Sequence, residues 1–354
     1  HFGVLPGEAM DAGAAATGSD RAGDAGIDVR FIDSSLVVTR VERGTPAYSS
    51  GIRAGWIVEE IDTMRVIESL RATSRINASA RRFALVRLTL NLNGRLTGPA
   101  GGSIRIVLRD ASDMRREIRV PLRATPGQVV EYGALPPMNV RFQSVRLTSS
   151  SGCIGITRFN IFITPVMPQS EDAMAGMKTC AGIVLDLRGN VGGLGAMIMG
   201  ISGHYFARPE TLGTMRLRDA TMRYVANPIR VSRAGQPLAP YEGHVAIVVD
   251  ELSASTTEIL AAALQRLGRA RVFGSPSAGQ ALPALLSKLP NGDRLMYVIA
   301  DFAGPDGARI EGAGVIPDEQ APLSRRSLLE GHDQALESAT RWIESKRFHQ
   351  RGPG

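Results

Sequence analysis

A run of small hydroxylated residues stands where a buried strand should give way to a helix. The segment 250–259 reads Asp-Glu-Leu-Ser-Ala-Ser-Thr-Thr-Glu-Ile, and the apolar segment 244–249 before it is typical of a buried strand. A nucleophilic serine needs such a sharp turn, because the turn exposes its Oγ and leaves helix N–H groups free for an oxyanion. Ser255 is therefore a candidate nucleophile. An ordinary helix N-cap is the alternative, since serine and threonine are favoured there.

Two further segments carry glycines at spacings that could serve the same chemistry. Residues 182–194 read Gly-Ile-Val-Leu-Asp-Leu-Arg-Gly-Asn-Val-Gly-Gly-Leu, a buried strand that runs into the pair Gly192-Gly193. Residues 311–318 read Glu-Gly-Ala-Gly-Val-Ile-Pro-Asp. Taken alone, the glycine pair fits a plain strand-to-helix turn.

In this order, the three segments resemble the catalytic core of the tail-specific (C-terminal processing) serine peptidases. That family carries the patterns D-x-R-x-N-x-G-G-L, S-A-S-x-x-E-I and G-x-G-V-x-P-D, and the resemblance extends over residues 26–320. It implies that Ser255 is the nucleophile. It also implies that Gly193 and the N–H of Thr256 form the oxyanion hole, with no cofactor and no metal.

The sequence departs from the family at the general base. Most tail-specific peptidases place a lysine 25 residues after the serine, and here that position is Gln280. The three lysines of the chain, Lys178, Lys288 and Lys346, do not match this spacing. Because a serine hydroxyl without a base is a poor nucleophile, either another base serves or the protein is inactive.

A lysine-lacking branch, which resembles the tricorn-type core, uses a histidine from an upstream strand and a glutamate near the closing segment. His1-Phe2-Gly3 is similar to the segment that carries this histidine, and Glu311 stands where the glutamate is expected. The resemblance implies that His1 is the base, on a strand of the catalytic sheet, and that Glu311 orients it. A terminal residue without a role and a solvated turn carboxylate are the respective alternatives.

The upstream part of the chain is rich in short β-prone runs around one short and one longer helix. The run Gly-Thr-Pro-Ala at 44–47, followed by Gly-Ile-Arg-Ala-Gly-Trp-Ile at 51–57, resembles the PDZ domains of bacterial proteases. A free edge of the strand Ile27–Ile32 would accept an extended peptide, with Gly26, Ile27, Asp28 and Val29 as binding residues. Backbone N–H groups before this strand would hold a C-terminal carboxylate, and a helix over 68–84 would line the groove.

The fold class predicted is therefore α/β, a mixed sheet with flanking helices of the ClpP/crotonase-like protease type, joined to a small PDZ domain of β-barrel type. We expect a strand of the catalytic domain at 1–6, a linker at 7–25, the PDZ domain at 26–123, a hinge at 124–137, the peptidase domain at 138–322, and a C-terminal helix and tail at 323–354. Within the peptidase domain, the β-prone runs 272–274 and 295–300 are expected to complete the sheet.

Composition narrows the class of protein. The 354 residues are 44% hydrophobic and carry a net charge of +7, almost entirely from arginine. No basic stretch alternates with aromatics, so a nucleic-acid partner is not expected, and no apolar run is long enough for a transmembrane helix. Cys153 and Cys180 could form a disulfide in an oxidising compartment, which their sequence leaves open. The chain begins at His1 and not at Met, as expected of a processed chain.

The function predicted is a serine endopeptidase that cleaves unfolded or C-terminal tail segments, with peptides as partners and an oligomer possible. The family resemblance places it in the periplasm or outside the cell. A catalytically silent PDZ scaffold is the first alternative, favoured by Gln280. A carrier of hydrophobic ligands is another, because retinoid-binding relatives share the fold.

Overall fold

The computed structural model describes residues 3–5, 22–74, 76–125, 127–133, 135, 137–149 and 152–350. His1 and most of the predicted linker lie outside this part of the chain. Strand β1 (Gly3–Leu5) pairs antiparallel with residues 294–296, far along the chain.

The N-terminal unit is built from short strands and three helices. Its elements are β2 (Ala22–Asp24), β3 (Ile27–Ile32), β4 (Ser35–Val41), α1 (Pro46–Ser49), β5 (Ile57–Ile61), β6 (Met64–Arg65), α2 (Val66–Ser74), α3 (Ala78–Gly94), β7 (Thr97–Pro99), β8 (Ser103–Arg109), β9 (Arg115–Pro121) and β10 (Arg123–Ala124).

An antiparallel sheet in the order β3-β4-β5-β8-β9 forms the body of this unit, and β6 pairs with β5. Alternating apolar residues of these strands, such as Val38 and Ile106, form its own hydrophobic core. The predicted linker ends earlier than expected, since Ala22–Asp24 pairs with both β7 and β10. Ala22 and Ala25 are buried there, so this short segment packs against the N-terminal unit and is part of it.

The predicted single helix over 68–84 is wrong, because two helices, α2 and α3, occupy this region. The side chain of Asn77 accepts a hydrogen bond from the N–H of Ala80 at 2.9 Å. Asparagine is a favoured N-cap residue, so it starts a new helix here and α3 extends to Gly94.

The remainder of the chain alternates strands and helices. Its elements are β11 (Gln128–Val130), β12 (Met138–Val140), β13 (Phe142–Ser149), β14 (Gly152–Phe159), α4 (Val166–Met177), β15 (Gly182–Asp186), α5 (Met197–Gly203), β16 (Glu210–Leu217), β17 (Thr221–Ala226), β18 (His244–Val249), α6 (Thr256–Arg266), β19 (Ala270–Gly274), β20 (Ala284–Lys288), β21 (Arg294–Val298), β22 (Ala300–Ala303), β23 (Glu319–Gln320), α7 (Arg325–Leu329) and α8 (Gln334–Gln350).

A mixed six-stranded sheet in the order β13-β14-β15-β18-β19-β23 organises this α/β unit. Only β13 runs antiparallel to its neighbour, and the other pairs are parallel. One hydrophobic cluster covers one face and includes α6, while a second includes α8. Apart from Asp186 at the end of β15 and His244 at the start of β18, the two strands are apolar because both of their faces are covered. They are adjacent, so the loops after their carboxyl ends meet at one edge.

The expectation that residues 295–300 complete this sheet is wrong. Strand β21 pairs with β20 across the turn Asn291-Gly292, and β1 joins it in a separate three-stranded sheet. Asn-Gly is a strong hairpin turn, so these strands pair locally. The strand after His1 accordingly belongs to this hairpin sheet and not to the six-stranded sheet.

Covalent and ionic links tie the structure together. Cys153 and Cys180 form a disulfide that joins the start of β14 to the residues just before β15. The N-terminal unit contacts the α/β unit through Arg30, which donates to Asp250 at 2.8 Å, and through Arg325, which donates to the Gly55 carbonyl at 3.0 Å. Among the residues described, no helix is both long and apolar enough to cross a membrane.

Candidate active site

Ser255 lies at the sharp turn between β18 and α6, as its sequence context predicts. Its backbone has φ 57° and ψ −121°, a conformation that L-residues rarely adopt. Such a residue stores about 1–3 kcal/mol of strain, which the surrounding hydrogen bonds must offset. The residue is half-buried, while Thr256 beside it is buried. Strain of this kind at a strand-to-helix turn is the arrangement that exposes a nucleophilic hydroxyl.

A buried carboxylate holds this strained backbone. The N–H of Ser255 donates to Oε2 of Glu258 at 3.0 Å and to the carbonyl oxygen of Gln280 at 2.9 Å. Glu258 is fully buried and also accepts hydrogen bonds from Oγ of Ser277 at 2.5 Å and from the N–H groups of Gly279 and Gln280 at 2.7 and 2.8 Å. Burial raises the pKa of Glu258, and these hydrogen bonds oppose the shift. Glu258 thus fastens the nucleophile turn to the 277–280 loop.

The glycine pair lies directly against the nucleophile turn. A Cβ on Gly192 would come within 2.6 Å of the Ser255 Cβ, and one on Gly193 within 2.2 Å of the Phe162 carbonyl oxygen. Oγ1 of Thr256 donates to the Gly193 carbonyl at 2.8 Å, which joins the two turns. Within the described part of the chain, the N–H groups of Gly193 and Thr256 donate to no hydrogen-bond acceptor. Both donors are therefore available beside Ser255.

Asn190 braces the two turns from beneath. It is fully buried, and its Oδ1 accepts from the N–H of Gly192 at 3.0 Å and from Oγ1 of Thr257 at 2.8 Å. Its Nδ2 donates to the Phe159 carbonyl at 2.9 Å, and its own carbonyl accepts from the N–H of Ala254 at 3.1 Å. Sequence reasoning assigned Asn190 no role, although its place within the D-x-R-x-N pattern was the available signal.

Asp250 closes the turn on the other side. Its carboxylate accepts from the N–H groups of Gly189 at 2.8 Å and Leu252 at 3.1 Å, and from Nε of Arg30 at 2.8 Å. Arg30 is buried, and although burial alone would lower its pKa, the carboxylates of Asp250 and Glu251 raise it. Neither Asp250 nor Arg30 was assigned a role from the sequence, because a contact over 220 positions has no local signal.

Ser253, the other serine of the turn, has a structural role. It is fully buried, and its hydroxyl donates to the Leu187 carbonyl at 2.9 Å and accepts from the N–H of Asp250 at 3.0 Å. A hydroxyl committed in this way is not free to attack a substrate. Of the two serines, Ser255 is thus the candidate nucleophile.

The acidic end of β15 is neutralised by arginine. Arg188 donates to Asp186 at 2.7 and 2.8 Å and to Asp333 at 2.8 and 2.9 Å, which ties the β15 loop to the start of α8. Burial alone would raise the pKa of Asp186, but Arg188 and Arg158 hold it far below its usual range. The loop that carries Gly192 and Gly193 is therefore anchored at its base.

His1, the predicted base, lies outside the described residues. Glu311, its predicted partner, is described and contacts the residues that follow Gln280. Glu311 accepts hydrogen bonds from the N–H groups of Ala281 and Leu282 at 2.7 and 3.1 Å. These residues directly follow Gln280, whose carbonyl accepts from Ser255. The Gln280 Nε2 is buried and has no partner among the described atoms. Lys288, the lysine nearest to Gln280 in the sequence, lies on hairpin strand β20.

The predicted peptide groove differs from the expectation. Ile27 and Val29 are buried in the hydrophobic core of the N-terminal unit. The Val29 main chain is already paired, because Asn93 of α3 accepts from its N–H and donates to its carbonyl, both at 3.0 Å. The N–H groups before β3 are also taken: Ala25 donates to Leu96 and Gly26 to Asp24. The expected edge is thus occupied at Val29, and the expected carboxylate donors are occupied at Ala25 and Gly26.

In the described part of the chain, no three His, Cys, Asp or Glu side chains lie close enough together to hold a metal ion.

The chain is similar to several known proteins. Residues 150–321 match the family model described as Peptidase family S41. Carboxyl-terminal-processing peptidase 3 of Arabidopsis thaliana, a chloroplastic protein, is 26% identical over 292 residues, which are 80% of this chain and 50% of that protein. A carboxy-terminal-processing protease of Bartonella bacilliformis is 24% identical over 344 residues, 94% of this chain and 69% of the relative. This chain thus spans about half the length of the plant relative.

Solved structures show the same fold. A photosystem II D1 C-terminal processing protease superposes with a TM-score of 0.57 at 20% identity, covering 96% of this chain and 81% of that one. A putative S41 protease from Bacteroides fragilis superposes with a TM-score of 0.58 at 14% identity, covering 97% and 86%. The mixed α/β fold is therefore similar to that of S41 protease structures. Residues 150–321 are thus similar to Peptidase family S41, and the relatives that resemble the chain over most of its length are carboxyl-terminal-processing proteases.

Proposed function

We propose that this protein is a serine endopeptidase that recognises and cleaves unfolded or C-terminal tail segments of proteins, with Ser255 as nucleophile. The observation that carries the proposal is the strained Ser255 backbone, φ 57°, at a strand-to-helix turn that packs against a glycine pair. A protein that needed only a helix cap there would have no reason to maintain this strain.

The oxyanion of the tetrahedral intermediate would be held by two main-chain donors. The N–H groups of Gly193 and Thr256 flank the nucleophile, and Thr256 opens helix α6, whose N-terminus favours negative charge. The bond between the Thr256 hydroxyl and the Gly193 carbonyl fixes the two residues relative to each other. Preorganised donors of this type are worth roughly 10²–10³ in kcat.

His1 would serve as the general base and Glu311 would orient it. Support comes from the position of Glu311, whose carboxylate bonds the two residues directly after Gln280. Gln280 itself cannot take a proton at neutral pH, because an amide is not basic. A neutral imidazole, with a reference pKa near about 6.5, can accept the Ser255 proton.

The N-terminal unit would act as a PDZ-type domain that binds peptides at Gly26, Ile27, Asp28 and Val29. An added peptide strand would have to replace the two hydrogen bonds that Asn93 makes to Val29. Binding at this edge would therefore require Asn93 to withdraw. The disulfide between Cys153 and Cys180 supports a periplasmic or secreted location, since disulfides persist in oxidising compartments.

A catalytically inactive, peptide-binding scaffold is the second candidate. Gln280 favours the scaffold, because this glutamine stands at the position where most tail-specific peptidases have their lysine base.

A fluorophosphonate probe separates the two functions. We expect the protein to be labelled, Ser255→Ala to lose labelling and peptide cleavage, and its thermal midpoint to stay within a few degrees of the parent. Ser112→Ala, which removes an exposed hydroxyl, is the matched control and should label normally. No labelling of the parent protein would favour the scaffold, and cleavage retained by Ser255→Ala would end the assignment of the nucleophile.

The base is tested separately by His1→Ala. If His1 serves Ser255, this change should lower kcat by orders of magnitude and leave KM nearly unchanged. Full activity of the variant would exclude His1 as the base while leaving Ser255 in place.

A further inference from the structure

A cavity of about 240 Å³ lies between the N-terminal unit and the α/β unit. On one side it is lined by Asp28 of β3 and Asn93 of α3, and on the other by Gly189 and Val191 of the loop that leads to the oxyanion glycines. Its polar lining is dominated by five guanidinium groups, those of Arg30, Arg40, Arg141, Arg158 and Arg188.

Four of the five arginines already have hydrogen-bonded carboxylate partners. Arg30 donates to Asp250 at 2.8 Å, Arg141 to Asp24 at 2.9 Å and Arg188 to Asp186 at 2.7 Å. Arg40 donates to Glu42. Each of these four positive charges thus already has a carboxylate partner within the protein.

Arg158 is different. Its closest carboxylate oxygens belong to Asp28 and Asp186, each at 3.6 Å, and its guanidinium makes no hydrogen bond within the described part of the chain. A guanidinium has five N–H donors in a planar fork that matches a carboxylate. Burial lowers the pKa of Arg158, and nearby Arg40 adds to that effect, although Asp186 and Asp28 oppose it. An additional anion beside Arg158 would therefore stabilise its charge.

Two main-chain donors before β3, where a peptide carboxylate was expected to bind, are occupied. The N–H of Ala25 donates to the Leu96 carbonyl at 3.2 Å, and that of Gly26 to Asp24 at 2.7 Å. A carboxylate arriving between the two units would find free N–H groups on Arg158 and not on the segment before β3.

We propose that the cavity binds a carboxylate of the substrate peptide through Arg158. The cavity wall at Gly189 and Val191 directly precedes Gly192, which packs against Ser255, so a peptide anchored there would lie against the loop that contacts the nucleophile. Naming the ligand a substrate rests on the proposed peptidase function, whereas carboxylate binding does not.

Asp28 opposes such a ligand. Its carboxylate lines the same cavity at 3.6 Å from Arg158 and 3.9 Å from Arg40, too far for hydrogen bonds to either. Burial would raise the pKa of Asp28, but Arg158 and Arg30 outweigh it, so the carboxylate remains ionised. Removing its charge should therefore strengthen binding of an anionic ligand.

The test measures binding of labelled, unstructured decapeptides to the full chain carrying Ser255→Ala, by fluorescence anisotropy. One peptide ends in a free acid, the second is its amide, and the third is an amide with an internal Asp. We expect Arg158→Gln to weaken binding of the free acid by at least about tenfold and to leave the plain amide unchanged. Arg158→Lys should be intermediate, because it retains the charge and loses the fork.

Asp28→Asn should tighten binding of the free acid. Arg208→Gln removes one exposed arginine that does not line the cavity and should leave binding of all three peptides unchanged. Arg158-dependent binding of the third peptide would identify the carboxylate as a side chain, and dependence of the first peptide alone would identify it as the C-terminus.

Equal losses for acid and amide in Arg158→Gln, or no loss, would overturn the inference. If no decapeptide binds measurably, the protein is titrated with N-acetyl-leucine and with its amide instead. Equal binding of the two compounds would also overturn the inference. Acid-specific binding in a protein that fluorophosphonate does not label would remove the peptidase function and retain the carboxylate site. Cleavage of peptides without discrimination between acid and amide would retain the peptidase function and remove the carboxylate site.

Discussion

The N–H of Ser255 donates to the carboxylate of Glu258 three residues further on, at 3.0 Å. Glu258 is at the same time the acceptor for three groups of the 277–280 loop. In turn, Ser277 accepts from the N–H of Val315 at 2.7 Å, which brings the closing segment into the same network. One fully buried carboxylate thus joins three segments that are distant in the sequence and holds the strained serine between them.

Glu258→Gln should therefore lower kcat by about 10- to 100-fold with little change in KM, since a small misplacement of the nucleophile is costly. The amide has one acceptor oxygen, and its NH₂ group would face N–H and O–H donors. Steady-state kinetics on a peptide substrate measure the effect. Glu330→Gln, on the exposed surface, is the control, and parent-like kcat in Glu258→Gln would refute the positioning role.

Gly193→Ala should destabilise the fold by more than about 3 kcal/mol and abolish probe labelling. The added Cβ would lie 2.2 Å from the Phe162 carbonyl oxygen, and φ of 132° is strained for alanine. Gly176→Ala is the matched control, because nothing lies within 4 Å of its added Cβ inside a helix. Denaturant unfolding of both variants decides the point, and equal stabilities would mean that the loop can yield at Gly193.

Arg30 and Asp250 should couple strongly in a double-mutant cycle. Breaking a buried pair costs about 3–5 kcal/mol, because the remaining charge has no partner. The exposed pair Arg65 and Glu68, 62% and 61% exposed, should couple by no more than about 0.5 kcal/mol. Unfolding free energies of the single and double variants provide the measurement, and equal coupling in the two pairs would contradict the buried, hydrogen-bonded geometry.

Glu251 should make the stability of the protein depend on pH. Burial and the neighbouring Asp250 raise the pKa of Glu251 from 4.5 to about 7. Since the folded pKa lies above the unfolded one, the stabilisation from this group is complete below 4.5 and is lost as pH rises toward 7.

Glu251→Gln should remove this dependence, so the parent loses stability relative to the variant between pH 5 and pH 8. The difference is on the order of 1 kcal/mol, because the side chain is 36% exposed and solvent screens it. Thermal midpoints across this range provide the measurement, with Glu344→Gln as the control. Parallel curves for parent and Glu251→Gln would show that Glu251 titrates normally.

The sequence alone determined the local elements of the site. Apolar runs at 182–187 and 244–250 predicted the two buried strands, and the hydroxylated turn after the second strand predicted the position of Ser255. These features are readable because burial on both faces of a parallel strand and helix capping are local properties.

Only the tertiary structure decided what surrounds these elements. The roles of Glu258, Asn190 and Asp250 depend on contacts across as many as 67 positions within the α/β unit, and that of Arg30 on a contact across 220. The helix over 68–84 divided because a single Asn77 side chain could cap a new start. Similarly, the edge of β3 was predicted to be free, but Asn93 occupies it. A pattern of residue types fixes which segments form strands and helices, whereas hydrogen-bond partners are set by the packing that brings distant segments together.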